Sequence, residues 1–278
     1  MTILLFSVLL LFFSILAGLI GSLTGLGGGI VIIPVMVLLF HINIRYAMGA
    51  SLISVIATSS GSAVAYLREG YTNLRIGMFL ETTAVAGALL GALLVAFVAK
   101  EFLAVLFSCI LFFSAFLTIK RQEERDVFTT SHHWSVKLKL DGTFPHDNSF
   151  KSYKVQNVPA ALFIMGIAGM MSGLLGIGSG ALKVLAMDQG LRLPYKVSTT
   201  TSNFMIGITA AVSAGVYFSR GYINPTLTFP VMIGVLAGSF LGAKILPKMQ
   251  NRTLRLIFSL VICIIGLQML YKALTGNL

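Results

Sequence analysis

Residues 18–34 read GLIGSLTGLGGGIVIIP, and this stretch organises the chain. It lies inside an apolar run yet holds glycine at 21, 25, 27, 28 and 29. An echo, GMMSGLLGIGSGALKVLAMD, occupies 169–188. Moving the first copy forward by 151 positions places Gly25, Gly27 and Gly29 on Gly176, Gly178 and Gly180. The same shift places Ser51 on Ser202, Tyr66 on Tyr217, Asn73 on Asn224, Gly87 on Gly238 and Gly91 on Gly242. One constant offset over most of each half means a duplicated unit. A duplicated apolar unit with a glycine break in each copy is the sequence signature of many secondary transporters.

Composition sets the class. The chain is 56% hydrophobic and 10% charged over 278 residues, with a mean hydropathy of +0.92. A soluble domain carries roughly 25% charged residues. The expectation is therefore an all-α polytopic membrane protein. The net charge of +11 comes from Lys and Arg scattered through short loops, as charge bias and anionic lipid favour. No basic face with interleaved aromatics supports nucleic-acid binding. Cys109 and Cys263 both lie in apolar segments, are not related by the offset, and read as small hydrophobes. The first residues, MTILLFSVLLLFFSILAGLIG, lack a basic n-region and read as a retained first helix.

Apolar segments fall at about 3–20, 28–40, 47–67, 76–99 and 102–119, and again at about 158–175, 178–190, 199–219, 226–246 and 253–273. Most are long enough to span. Segments 28–40 and 178–190 reach only about 20 Å at 1.5 Å per residue, short of a hydrocarbon core of about 30 Å. Each therefore reads as the return arm of an in-membrane hairpin. Broken backbone survives at that depth only inside protein or beside a watery cavity. Glycine supplies the positive φ and close backbone approach that such a break needs.

Each half then holds one glycine-broken hairpin plus three transmembrane helices. A hairpin returns the chain to its starting side and three crossings leave it on the other, so the second repeat begins inverted. If 3–40 crosses only once, each half has four spans and the repeats are parallel. The expected division is a first membrane repeat at 1–119, a polar linker loop at 120–157 and a second membrane repeat at 158–278. The linker holds the only Trp, Trp134, and three of the four His. His132, His133 and His146 lack metal-ligand spacing, so no metal or cofactor is expected. The linker reads as solvated, with room for a short hairpin around Asp141 and Gly142.

Chemistry concentrates at the breaks. A helix beginning near Ser179 or Gly180 presents free N–H groups and a positive dipole end toward Gly176 and Gly178, which is an anion site in kind. Lys183 follows one turn later in an apolar segment. Such a lysine serves function, or it snorkels, or it pairs with Asp188. The first copy, with Thr24, Gly25, Gly27, Gly28 and Gly29, offers a matching uncharged helix start. The alternative is that the glycines only permit close helix packing. Beyond the breaks, Ser51 matches Ser202 within the run Ser198, Thr199, Thr200, Thr201, Ser202, Asn203. One or two of these cap a helix; the rest are candidates for a polar cavity. Arg45 matches Lys196 and reads as an interfacial charge. Glu81, in FLETTAVAGALLGALL, stands inside a span and is the coupling candidate, the alternative being an interfacial place or a cationic partner elsewhere; its offset counterpart is Met232. The pairs Gly87/Gly91 and Gly238/Gly242 have the small-xxx-small spacing of close helix contacts.

The motifs GLGGGIVIIP and GIGSGALKVL, the Gly-Ala-Ser and Thr-Thr-Ser helix starts, and the turns at 68–71 and 220–224 together resemble the sulfite exporter (TauE/SafE) family. The resemblance covers nearly everything except 120–157. It implies a permease of small sulfur-containing anions in the bacterial or archaeal cytoplasmic membrane, coupled to an ion gradient, H⁺ or Na⁺. The second motif departs by carrying Ser179 where the first has Gly28, and nothing matches Pro34. The expected function is a secondary transporter for a small anion working by alternating access, with an anion channel of the same lining as the alternative. An enzyme is not expected: HExxH and GxSxG are missing, and no carboxylate pair lies in the spans.

Overall fold

The computed structural model describes residues 3–24, 27–68, 70–119, 133–146, 149–245 and 251–275. Helix α1 (Ile3–Thr24) leads through the first glycine break into α2 (Gly29–Pro34), which a π turn prolongs over Val35–Leu39. Three helices follow: α3 (Ile44–Arg68), α4 (Leu74–Leu94) and α5 (Lys100–Ile119). Between the halves lie α6 (His133–Leu138), β1 (Gly142–His146) and β2 (Ser149–Tyr153). The second half repeats the order with α7 (Val158–Leu175), α8 (Gly180–Leu185) and a π turn Ala186–Gly190, then α9 (Tyr195–Ser219), α10 (Pro225–Ile245) and α11 (Asn251–Thr275). Among the described residues, α1, α4, α7, α9 and α10 carry stretches long and apolar enough to cross a membrane. Their outward faces are greasy, with Phe163 73% and Phe229 61% exposed, as lipid contact requires.

Both breaks turn the chain back on itself. Phe6, near the start of α1, stacks edge-on against Phe40, just past the first π turn, with ring centroids 4.9 Å apart. In the second half, the Gln156 N–H donates to the Leu191 carbonyl at 3.1 Å, closing α7 and α8 at the same level. Phe40 and Leu191 are counterparts under the offset. The short arms match the expected 28–40 and 178–190. Each ends in a π turn, although only the first contains Pro34. The proline is therefore not what makes the turn.

Helix packing crosses between halves. Helix α1 lies along α10 and α4 along α7; α3 crosses α9 and α5 pairs with α11. Small residues set the close approach. A Cβ on Gly87 would meet the Gly166 carbonyl, and one on its counterpart Gly238 would meet the Ile15 carbonyl. A Cβ on Gly169 would meet the Ala84 carbonyl, and one on Gly18 would meet the Val235 carbonyl. These two α4–α7 contacts thus have α10–α1 twins. The small-xxx-small pairs Gly87/Gly91 and Gly238/Gly242 sit at these interfaces, where helix backbones touch.

The described part of the linker departs from a solvated loop. Leu140, Phe144, Tyr153 and Val155 are buried with Ile76 and Leu80 in one apolar cluster. Tyr153 accepts a bond from Asn73 Nδ2 at 2.6 Å, and Arg75 donates to the Lys139 carbonyl at 2.9 Å. Burial pushes the Tyr153 phenol above its ordinary value. The hairpin begins at Gly142 and does not turn there: the register pairs Gly142 with Tyr153 and His146 with Ser149. Asp141 instead ties the segment together, accepting from Ser135 Oγ at 2.6 Å and from the Val155 N–H at 2.9 Å. By the register Phe144 and Tyr153 share one face of the hairpin, and that face is buried, while Phe150 on the other face is 77% exposed.

Candidate functional site

The two glycine breaks meet at the centre of the helical bundle. Gly27 (φ +80°) and Gly178 (φ +74°) adopt the left-handed backbone that only glycine takes without strain. A Cβ on Gly27 would contact Val55 and Ile206, and one on Gly178 would contact the same two side chains. Val55 and Ile206 are counterparts on α3 and α9, so the breaks face one another across the α3–α9 crossing. Ser179 also takes positive φ, at +49°. That is a costly conformation for a non-glycine residue, and it places Ser179 as the residue before α8.

Hydroxyls from the two crossing helices service the broken backbone. Ser51 Oγ donates to the Gly176 carbonyl at 2.6 Å, reaching from the first half into the second break. Ser202 Oγ donates to the Gly180 carbonyl at 3.2 Å. Thr58 Oγ1 accepts from the Gly28 N–H at 3.4 Å. Gly29 lies so near Ser51 that no side chain fits there. Several buried polar atoms near these helices have no hydrogen-bond partner among the described residues: Ser54 Oγ, Ser179 Oγ, Ser198 Oγ, Thr199 Oγ1 and both amide atoms of Asn203. Asn203 is 1% exposed. Buried polar atoms are paired in the great majority of cases, so such a group has meaning.

Of the residues singled out from sequence, Gly27, Gly28, Gly29, Ser51, Gly176, Gly178, Ser179, Gly180 and Ser202 gather at the two breaks. Thr200 and Thr201 do not. Thr200 Oγ1 turns back to its own helix, donating to the Lys196 carbonyl at 3.0 Å. Thr201 Oγ1 accepts from the Asn73 N–H at 3.1 Å, which fixes the start of α4. The Thr24 side chain and Gly25 lie outside the described residues.

Lys183 is fully buried on α8, and its partner is Glu81 of α4, where sequence had offered Asp188. Lys183 Nζ stands 3.1 Å from Glu81 Oε2 and also donates to the Met205 carbonyl at 3.3 Å. Thr209 completes the cluster, accepting from Lys183 Nζ and donating to Glu81 Oε1. Turned the other way, the same hydroxyl proton reaches the Met205 carbonyl, 3.1 Å from Thr209 Oγ1. Sequence reasoning missed Thr209, Thr58 and Ser54. A signal existed for two of them: Thr58 and Thr209 are offset counterparts, an identity easily lost among many small residues.

A helical chain with apolar spans around a buried polar site is an integral membrane protein. The chain belongs to the sulfite exporter TauE/SafE family, whose profile matches residues 10–269. It is 30% identical over 258 residues to the probable membrane transporter protein YdhB of Bacillus subtilis (strain 168), covering 92% of this chain and 97% of the relative. It is 27% identical over 275 residues to the probable membrane transporter protein YunE of the same organism, covering 96% and 98%. A probable membrane transporter protein of Methanocaldococcus jannaschii is 25% identical over 279 residues, covering 94% of each. No solved structure matches the chain at a significant level. The protein is a membrane transporter.

Proposed function

We propose that the protein is a secondary transporter that moves a small anion, of the sulfur-oxyanion or organosulfonate class, across the cytoplasmic membrane of a bacterium or archaeon. The observation that carries this reading is the meeting of the two glycine breaks at Val55 and Ile206, beside buried hydroxyl and amide groups without partners. Free N–H groups of broken backbone and small polar side chains suit an oxyanion. Gly27, Gly28, Gly29, Gly176, Gly178 and Gly180 would supply backbone, while Ser51, Ser179, Ser202 and Asn203 would supply side-chain contacts. Lys183 would supply the positive charge and Glu81 the link to a coupling ion. Family membership supports the sulfur-anion class.

The architecture in this reading is two repeats, 1–119 and 158–278, of inverted topology, joined by 120–157. Support comes from the closed hairpins and from the twinned α4–α7 and α10–α1 contacts. Alternating access then follows from rocking one crossed set of helices against the other about the fixed breaks.

The test is counterflow and accumulation of labelled sulfite, sulfate, sulfoacetate and acetate in proteoliposomes. Uphill accumulation driven by an imposed ion gradient is expected for a sulfur anion. Flux that only ever dissipates the anion's electrochemical gradient would make the protein a channel. No flux of any anion would overturn the reading.

A further inference from the structure

We propose that Lys183 and Glu81 form an exchange pair, in which the cargo anion takes over the Lys183 ammonium while Glu81 takes up one proton. Each anion would then travel with one proton. The inference rests on the glycine breaks being the anion site.

Placement comes first. The Lys183 N–H donates to the Ser179 carbonyl at 3.1 Å, so the lysine sits one turn from the second break. Its side chain leaves that turn and meets α4 and α9. All three N–H donors of the ammonium have partners at rest: the Glu81 carboxylate, the Met205 carbonyl and the Thr209 hydroxyl. The resting cluster is thus neutral and saturated. An anion that displaced the carboxylate would leave a bare charge in a buried site, and that is strongly unfavourable. One proton on Glu81 removes that cost. Lys183 stays charged throughout, the anion replaces the carboxylate as its counter-ion, and the proton neutralises Glu81. The net charge of the loaded site equals that of the resting site for a monoanion.

The neighbouring elements hold few other titratable groups: α5, which packs on α8, carries Lys100 and Glu101 in its first turn and Cys109 further along. Helix α7 carries no titratable side chain. On α9, Tyr195 and Lys196 lie in the first turn, and the Lys196 ammonium sits over the Tyr71 ring. Tyr217, near the other end, donates to the Leu174 carbonyl at 3.1 Å. Asp188 follows α8 in the π turn, one turn and more beyond Lys183.

The repeat supplies an independent argument. The counterparts of Lys183 and Glu81 are Ile32 and Met232. Ile32 is fully buried, and the first hairpin packs on the same framework with apolar residues. The fold therefore does not require the ion pair. Its presence in one half alone fits a role that needs doing once per transport cycle.

The experiment uses methanesulfonate and sulfate, which stay ionised between about pH 6 and 8. Binding to the detergent-solubilised protein is measured by thermal stabilisation and by proton uptake in weak buffer. The wild type should bind more tightly at low pH, approaching about tenfold per pH unit, with protons taken up. Glu81→Gln should bind with no pH dependence and lose proton-coupled flux. Lys183→Met should lose binding. The double variant Glu81→Met with Lys183→Met should stay folded, by melting and gel filtration, without binding. Equal affinity at both pH values without proton uptake would overturn the exchange pair while leaving the transporter standing. So would retained pH dependence in Glu81→Gln, or flux driven by Na⁺ and indifferent to the proton gradient. Absence of any anion binding or flux in the wild type would overturn both readings together.

Discussion

Lys183 and Glu81 show how costly single groups become when buried. Each satisfies the other, so removing one leaves an unpaired charge. Glu81→Ala should destabilise the protein by about 3–5 kcal/mol, and exchanging both residues for Met should restore most of that. Melting of the three variants in detergent checks it: a double variant no better than the single one would mean the site cannot close around apolar side chains. Gly176 is a second sensitive residue, with φ at +69° and the Met48 carbonyl 2.7 Å from where a Cβ would lie. Gly176→Ala should cost about 1–2 kcal/mol from the backbone alone, and more from that carbonyl contact. A melting temperature equal to the wild type would mean the break relaxes to a different backbone.

At the level of elements, the hairpins are the claim most open to direct measurement. With Cys109 and Cys263 replaced by Ser, cysteines placed at Phe6 and Phe40 should cross-link through a short bifunctional reagent, because those rings touch. Failure to cross-link would mean that α2 continues away from α1 and that residues 3–40 cross the membrane once. The helix contacts make a matching prediction. Gly169→Leu and Gly238→Leu each force a side chain into a backbone carbonyl of the facing helix, and both should cut the yield of folded protein sharply. A normal yield for either would argue against the close approach of that pair.

Across the whole molecule, the direction of the repeats decides the transport model. Arg75 and Thr226 are counterparts, both exposed, near the starts of α4 and α10. Inverted repeats place them on opposite sides of the membrane. Single cysteines at these positions, probed with an impermeant maleimide on intact cells, should label from opposite sides; labelling from one side would make the repeats parallel. The linker also belongs to this scale. Tyr153 and Lys139 tie its described part to the start of α4, through Asn73 and Arg75.

Sequence by itself determined the membrane class, the family, the constant offset between the halves, the two short apolar arms and the glycine contacts at Gly87 and Gly238. These are local or periodic properties: hydropathy, a constant offset, and glycine where backbone must turn or touch. Tertiary structure alone decided three things. It paired Lys183 with Glu81, 102 positions away, and recruited Thr209 between them. It sent Thr200 and Thr201 to other tasks while leaving Asn203 buried and unpartnered. It folded the described part of the linker onto α4. The physical reason is common to all three. A buried charge or amide takes its meaning from what faces it across a helix crossing, and the rotation and depth of each helix are set by packing of the whole bundle.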